Sequence, residues 1–136
     1  MSFFKIFSTG MLGLLALQAQ AQATDQKKPD NPPRCIQIKE GKFLRVNYPE
    51  SVWYMTIEDN VQTEYFNNGK DFIKSTLVFQ DDCHYKATVA EKSDKDDPAQ
   101  IGDVFSNTIV ATQDNLIKIN MKIEGSQFDV VYIKEK

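Results

Sequence analysis

Cys83 and His84 are the first residues in this sequence that could do chemistry together, since a thiol beside an imidazole can act as nucleophile and base. Their adjacency argues against it. Successive side chains on a strand point to opposite faces, so the imidazole cannot readily take the thiol proton. His84 is also the only histidine, which excludes multi-histidine metal sites, and it reads as a strand-start residue beside a disulfide. Asp94, Asp96 and Asp97 suggest a calcium loop, because hard cations take clustered oxygen ligands. The spacing fails that test. With Asp94 as the first ligand position, the fifth is Pro98, the sixth is Ala99 instead of glycine and the twelfth is Phe105 instead of glutamate. A solvated charged loop is the reading adopted, and no metal and no cofactor is expected.

The remaining carboxylates are less informative. Glu58-Asp59 and Asp81-Asp82 fall where turns are expected, which is where acids collect in any case. Gln62 and Glu64 lie two apart on one strand face, opposite Val61, Thr63 and Tyr65. They read as an ordinary solvent face, with a polar patch lining a barrel as the alternative. Glycoside hydrolysis would need a second carboxylate roughly 5–10 Å away across a cleft, and nothing in the sequence places one. No catalytic residue is assigned, and the chain is not expected to be an enzyme. Aromatic residues offer a binding chemistry instead. Trp53, Met55, Tyr65, Phe79 and Phe105, with Arg45 on the same strand face as Phe43, could form the apolar lining and polar anchor of a small-molecule pocket. Side chains this bulky could equally fill a short barrel solid.

Those residues must be held by strands. From Asn115 to Glu124, Ile117, Ile119, Met121 and Ile123 face one way while Lys118, Asn120, Lys122 and Glu124 face the other. Similar alternation predicts strands near Cys35–Lys39, Lys42–Tyr48, Val52–Glu58, Val61–Phe66, Asp71–Phe79, Cys83–Glu91, Val104–Thr112 and Gln127–Ile133. Asp59-Asn60 and Asn68-Gly69 tolerate the positive φ of two-residue hairpins, so neighbours should pair antiparallel. Lys92–Asp103 is a longer loop whose Pro98–Ile101 could hold one helical turn. No segment keeps a 3.6-residue period. The fold class is therefore all-β: about eight strands in a small antiparallel up-and-down meander that closes into a barrel, which removes exposed edges. A β-sandwich is the runner-up.

Residues 1–23 contain one lysine, an apolar run from Ile6 to Leu17, and small residues at Ala19, Ala21 and Ala23. This is the pattern of a signal peptide cleaved after Ala21 or Ala23. The run is about twelve residues, short of the roughly twenty that span a bilayer as a helix. No cysteine follows either site, so a lipid anchor is not expected. Export to the periplasm or beyond makes Cys35 and Cys83 a disulfide before anything catalytic. It would close a loop of about fifty residues, for which the chain-entropy account gives roughly 4 kcal/mol. Residues 24–34, with three prolines and five charges, read as a disordered leader. Residues 35–136 then form one domain. Loss of Lys5 with residues 1–23 moves the net charge from −3 to −4, and no basic stripe stands clear of acids, so nucleic acid is excluded as a partner.

The run Cys35-Ile36-Gln37-Ile38-Lys39-Glu40-Gly41-Lys42-Phe43, then Trp53, Gln62-Thr63-Glu64 and Phe79-Gln80-Asp81-Asp82-Cys83-His84-Tyr85, resembles short uncharacterised exported proteins of flavobacterial type. Those read roughly C-x-x-x-K-x-G-K-F, Q-x-E and W-x-x-D-C-x-Y, and their expected shape is a reduced lipocalin-like barrel. Phe79 stands where the pattern has tryptophan, and Ala87 where a larger aliphatic is usual. The resemblance covers about Cys35 to Ala90 and implies fold and export, with no activity. The functional expectation is a secreted, monomeric, non-catalytic carrier of a small apolar ligand. The alternative is a solid-core interaction module that displays its loops, Asp94–Gln100 above all, to a protein partner outside the cytoplasm.

Overall fold

The computed structural model describes residues 28–136, so the expected signal peptide lies outside the described residues. Eight strands follow one another: β1 (Gly41–Arg45), β2 (Trp53–Glu58), β3 (Val61–Phe66), β4 (Asp71–Asp81), β5 (His84–Lys92), β6 (Val104–Gln113), β7 (Leu116–Ile123) and β8 (Ser126–Lys134). Each pairs antiparallel with the next. β8 returns to β1, with Tyr132 opposite Arg45 and Ile133 opposite Leu44, and closes an up-and-down barrel. The short reversals use residues that tolerate positive φ. Asp59 and Asn60 sit at 51° and 62°, and Glu124 and Gly125 at 37° and 86°, the twist that matches paired strands.

Two local expectations are corrected. Cys35–Lys39 is a 3-10 helix, not a strand. In a closed barrel β1 already pairs on both sides, so a further strand there would have no partner. The burial pattern follows a period of three: Cys35 and Ile38 are buried while Ile36 is 63% exposed, which alternation cannot produce. Gly41, at φ 137°, then turns the chain from this helix into β1. Pro98–Ile101 holds no helical turn either. Asp97 and Asp103 side chains accept the backbone N–H groups of Ala99 and Gln100, and these local bonds favour turns over helix.

The 3-10 helix lies at the barrel end that carries the β2–β3, β4–β5 and β6–β7 turns. Cys35 and Cys83 form a disulfide, Cα atoms 5.1 Å apart, that ties the helix to the β4–β5 turn. Part of the expected leader is also fastened there. Thr112 accepts the Arg34 N–H and donates to the Asp30 carboxylate, while the Asp30 N–H bonds the Thr112 carbonyl, so Asp30 and Arg34 are both tied to this one residue of β6.

Inward-facing residues near this end fill the barrel. Ile38, Phe43, Met55, Ile57, Ile117 and Ile119 are essentially inaccessible to solvent. The opposite end, ringed by the loops at residues 46–52, 67–70, 93–103 and 124–125, is not filled. Among the described residues no helix is long and apolar enough to cross a membrane.

Candidate functional site

Register decides which side chains enter the open half. The Asp59-Asn60 hairpin sets Ile57 opposite Gln62 and Met55 opposite Glu64, so both polar residues share the inward face of apolar Met55 and Ile57. β4 continues this face with Ser75 opposite Gln62. From the far wall, β6 contributes Asn107, paired to Tyr85 on one side and Met121 on the other. The solvent-face reading of Gln62 and Glu64 is thereby corrected: they line the barrel.

Together these residues border a cavity of about 190 Å³. Its deeper wall carries Gln62, Ser75, Ala87 and Asn107, and its sides are formed by Trp53, Glu64, Val130 and Tyr132. Arg45, Phe105, Met121 and Phe128 stand toward the open end. The polar residues are deeply placed, with Gln62 7%, Ser75 2% and Asn107 4% exposed. Polar groups at such depth are costly unless they are paired. Among the described residues Asn107 Oδ1 nevertheless finds no hydrogen-bond partner, nor does the buried Tyr85 hydroxyl on the neighbouring strand.

Glu64 is the carboxylate of the cavity wall. Trp53 Nε1 donates to its Oε1 at 3.1 Å, and the Gln62 side chain adds a second hydrogen bond. The surrounding protein pushes the Glu64 pKa above the ordinary carboxylate value; those two bonds and the positive charge of Arg45 pull it partly back. Its residual accessible surface belongs to the cavity, which reconciles partial accessibility with a desolvated carboxyl. Burial likewise pushes the Tyr85 and Tyr132 hydroxyls above the usual tyrosine range, so both stay protonated at neutral pH. Trp53 stacks on Tyr132 with centroids 5.4 Å apart and planes 8° from parallel. The Arg45 guanidinium lies 4.5 Å from the Tyr48 ring centroid and 5.6 Å from that of Trp53.

The six residues expected at a ligand divide. Arg45, Trp53 and Phe105 line the cavity. Met55 belongs to the solid layer beneath it, with no accessible surface. Tyr65 is corrected to the outer face, where it stacks on Tyr54 at 4.7 Å, because it alternates with inward Glu64. Phe79 is placed near the closed end, stacked on Tyr85 with Lys39 Nζ 4.9 Å from its centroid. Ser75 and Asn107 carried no distinguishing sequence signal, since single polar residues on strands are ordinarily solvent-facing.

His84 is exposed and bonds Asp81 at 2.9 Å, well outside the cavity lining. That bond, with the Cys83 N–H, holds the Asp81 carboxyl below its usual range. In the charged loop, the Asp94 and Asp97 side chains accept backbone N–H groups of Asp96 and Ala99. A scan with family models finds none that matches, and searches of curated proteins and of solved structures return no match.

Proposed function

We propose that this protein is an exported, non-catalytic binding protein that carries one small ligand in the open half of its barrel. The observation that carries the reading is the cavity of about 190 Å³ above a solid core, with apolar walls and a few convergent polar groups. That combination is the usual build of a ligand pocket, and its volume lies below the roughly 300–1,000 Å³ of sites for drug-sized molecules. The ligand is correspondingly small. It presents an apolar body to Phe105, Met121 and Phe128 and a polar end to the deeper wall.

Binding is favoured over catalysis by the way the cavity is furnished. Among the described residues Glu64 is the single carboxylate in its lining, without a second acid for paired acid–base work, and the one histidine points elsewhere. The Cys35–Cys83 disulfide supports an oxidising compartment, in keeping with the signal-like residues 1–23. The exported lipocalin-like family suggested by the sequence resemblance fits the same reading.

Thermal denaturation against a panel of small amphiphiles tests it. A ligand that binds the folded state at a hundred times its Kd adds about 2.7 kcal/mol and raises the midpoint by several degrees. No shift across a broad panel would instead favour the loops as the functional surface.

A further inference from the structure

Among the described residues Arg45 is the one cation lining the cavity, and its guanidinium forms neither a hydrogen bond nor an ion pair with them. Aromatic rings hold it instead. With ring centroids 4.5 Å away at Tyr48 and 5.6 Å away at Trp53, the cation is braced by faces that attract it but offer its N–H groups no oxygen. Register fixes where it stands. Arg45 lies opposite inward Tyr132 where β1 meets β8, and the chain leaves β1 immediately afterwards into the loop at the open end. Glu64, further along the same lining, feels the charge of Arg45 but lies beyond ion-pair contact, and Trp53 and Gln62 already bond its carboxylate.

Ligand classes can be separated on these grounds. A braced guanidinium with free in-plane donors matches the paired oxygens of an organic anion, which also supply its counter-charge. A neutral alcohol can occupy one donor but leaves that charge uncompensated. An ammonium group meets like charge at the cavity mouth.

We propose that the cavity recognises a small organic acid as its anion, with the anionic oxygens on the Arg45 guanidinium and the apolar body against Phe105, Met121 and Phe128. This rests on the carrier reading above and names the ligand's chemical class. A hydroxyl at the far end of such an acid is the polar group that suits Gln62 and Ser75 on the deeper wall.

Glu64 sets a condition on this anion. Ionised, it repels the ligand; protonated, it does not, so the anion binds together with a proton wherever the carboxyl is ionised beforehand. Burial already favours the protonated form. Of the other groups facing Glu64, Arg45 of β1 keeps its charge, and Tyr85 of β5 and Tyr132 of β8 stay neutral around neutral pH and below. Asp97, on the loop between β5 and β6, is the other acid that acts on Glu64.

The test titrates three probes of similar shape, phenylmethanesulfonate, benzyl alcohol and benzylammonium, into the disulfide-bonded protein by calorimetry. A sulfonate stays anionic throughout, so any pH dependence of its binding belongs to the protein. At neutral pH it is expected to bind about tenfold or more tightly than the alcohol, the factor that a hydrogen bond to a charged group supplies. Arg45→Met keeps an unbranched stem against the rings and removes the charge; it should cost the sulfonate about tenfold and leave the alcohol nearly unchanged. A purely structural role for Arg45 would weaken both probes alike. Sulfonate affinity should rise as the pH is lowered from neutrality, with proton uptake read from the dependence of the heat on the buffer. Glu64→Gln, which keeps an acceptor for Trp53, should tighten the sulfonate at neutral pH and abolish that uptake. Asp97→Asn should retain it.

Equal or tighter binding of the alcohol or of benzylammonium would overturn the anion assignment while leaving the carrier reading standing. Sulfonate binding unchanged in Arg45→Met, or alcohol binding weakened as much as sulfonate binding, would do the same. Proton uptake that survives in Glu64→Gln and disappears in Asp97→Asn would overturn the condition set by Glu64. No binding by any of the three overturns the assignment, and the carrier reading is then decided by the wider thermal panel.

Discussion

Trp53 donates its indole N–H to Glu64 across 3.1 Å, joining the starting end of β2 to the middle of β3 inside the barrel. The bond aims the one tryptophan of the chain along the cavity wall and fixes the carboxylate beside it.

Glu64 should make stability depend on pH in an unusual direction for an acid. Its folded pKa is raised by burial above the ordinary value of 4.5. The folded state therefore holds the proton more tightly, and the cost is absent below about pH 4.5. It appears as pH rises from there through the folded value, because the unfolded chain ionises first. Glu64→Gln should raise stability at pH 7 by about 0.5–2 kcal/mol, the usual range for a stabilising substitution, and by little at pH 4. Urea denaturation at both pH values checks this, and an equal effect at the two would contradict it.

Two phenylalanines separate the solid half from the open half. Phe43 is wholly buried near the closed end, and Phe43→Ala should cost about 3–5 kcal/mol. Phe128 is 44% exposed at the open end, so Phe128→Ala should cost less than about 1 kcal/mol while widening the cavity mouth. Similar losses in the two variants would mean that the barrel is filled throughout.

The disulfide should be worth about 2–5 kcal/mol, since it closes a loop with a sequence separation of 48 between Cys35 and Cys83. Reductant, or the paired Cys35→Ser and Cys83→Ser exchange, should lower the denaturation midpoint accordingly. Thiol titration of the unreduced protein should find none free. A midpoint indifferent to reductant would show that the 3-10 helix holds its place without the bond.

Asn107→Leu should stabilise the protein without ligand. An unpartnered buried acceptor costs about 1–3 kcal/mol, and leucine of similar size removes it without opening a hole. Thermal denaturation should therefore show a higher midpoint. A midpoint lowered by several degrees would mean that Asn107 is structurally satisfied.

Strand alternation made the barrel itself readable, because Ile117, Ile119 and Met121 can bury one face only if the sheet curls round to cover it. The turn residues did the same for pairing order. The 3-10 helix was hidden because Ile36 and Ile38 lie two apart, imitating a strand while only Ile38 turns inward. Gln62 and Glu64 were misread by treating β3 alone, where a polar face looks like a wet one. Their position could have been deduced from β2. A two-residue turn at Asp59-Asn60 forces Ile57 and Met55 onto their face, and those two apolar residues must point inward. Ser75 and Asn107 were out of reach. Their burial depends on the whole circuit of registers, including the bulge at Ala90 of β5 opposite Lys74 and Ser75, and no local pattern reports that.

The most direct test of the carrier reading uses Trp53 emission during titration with small amphiphiles, in the natural protein and in Ala87→Phe, which fills the cavity from its deeper wall. The natural protein should show a saturable change that the filled variant loses, while circular dichroism of the two remains the same. A saturable change of equal size and midpoint in both proteins, or none in either across the panel, would contradict a ligand seated inside the barrel.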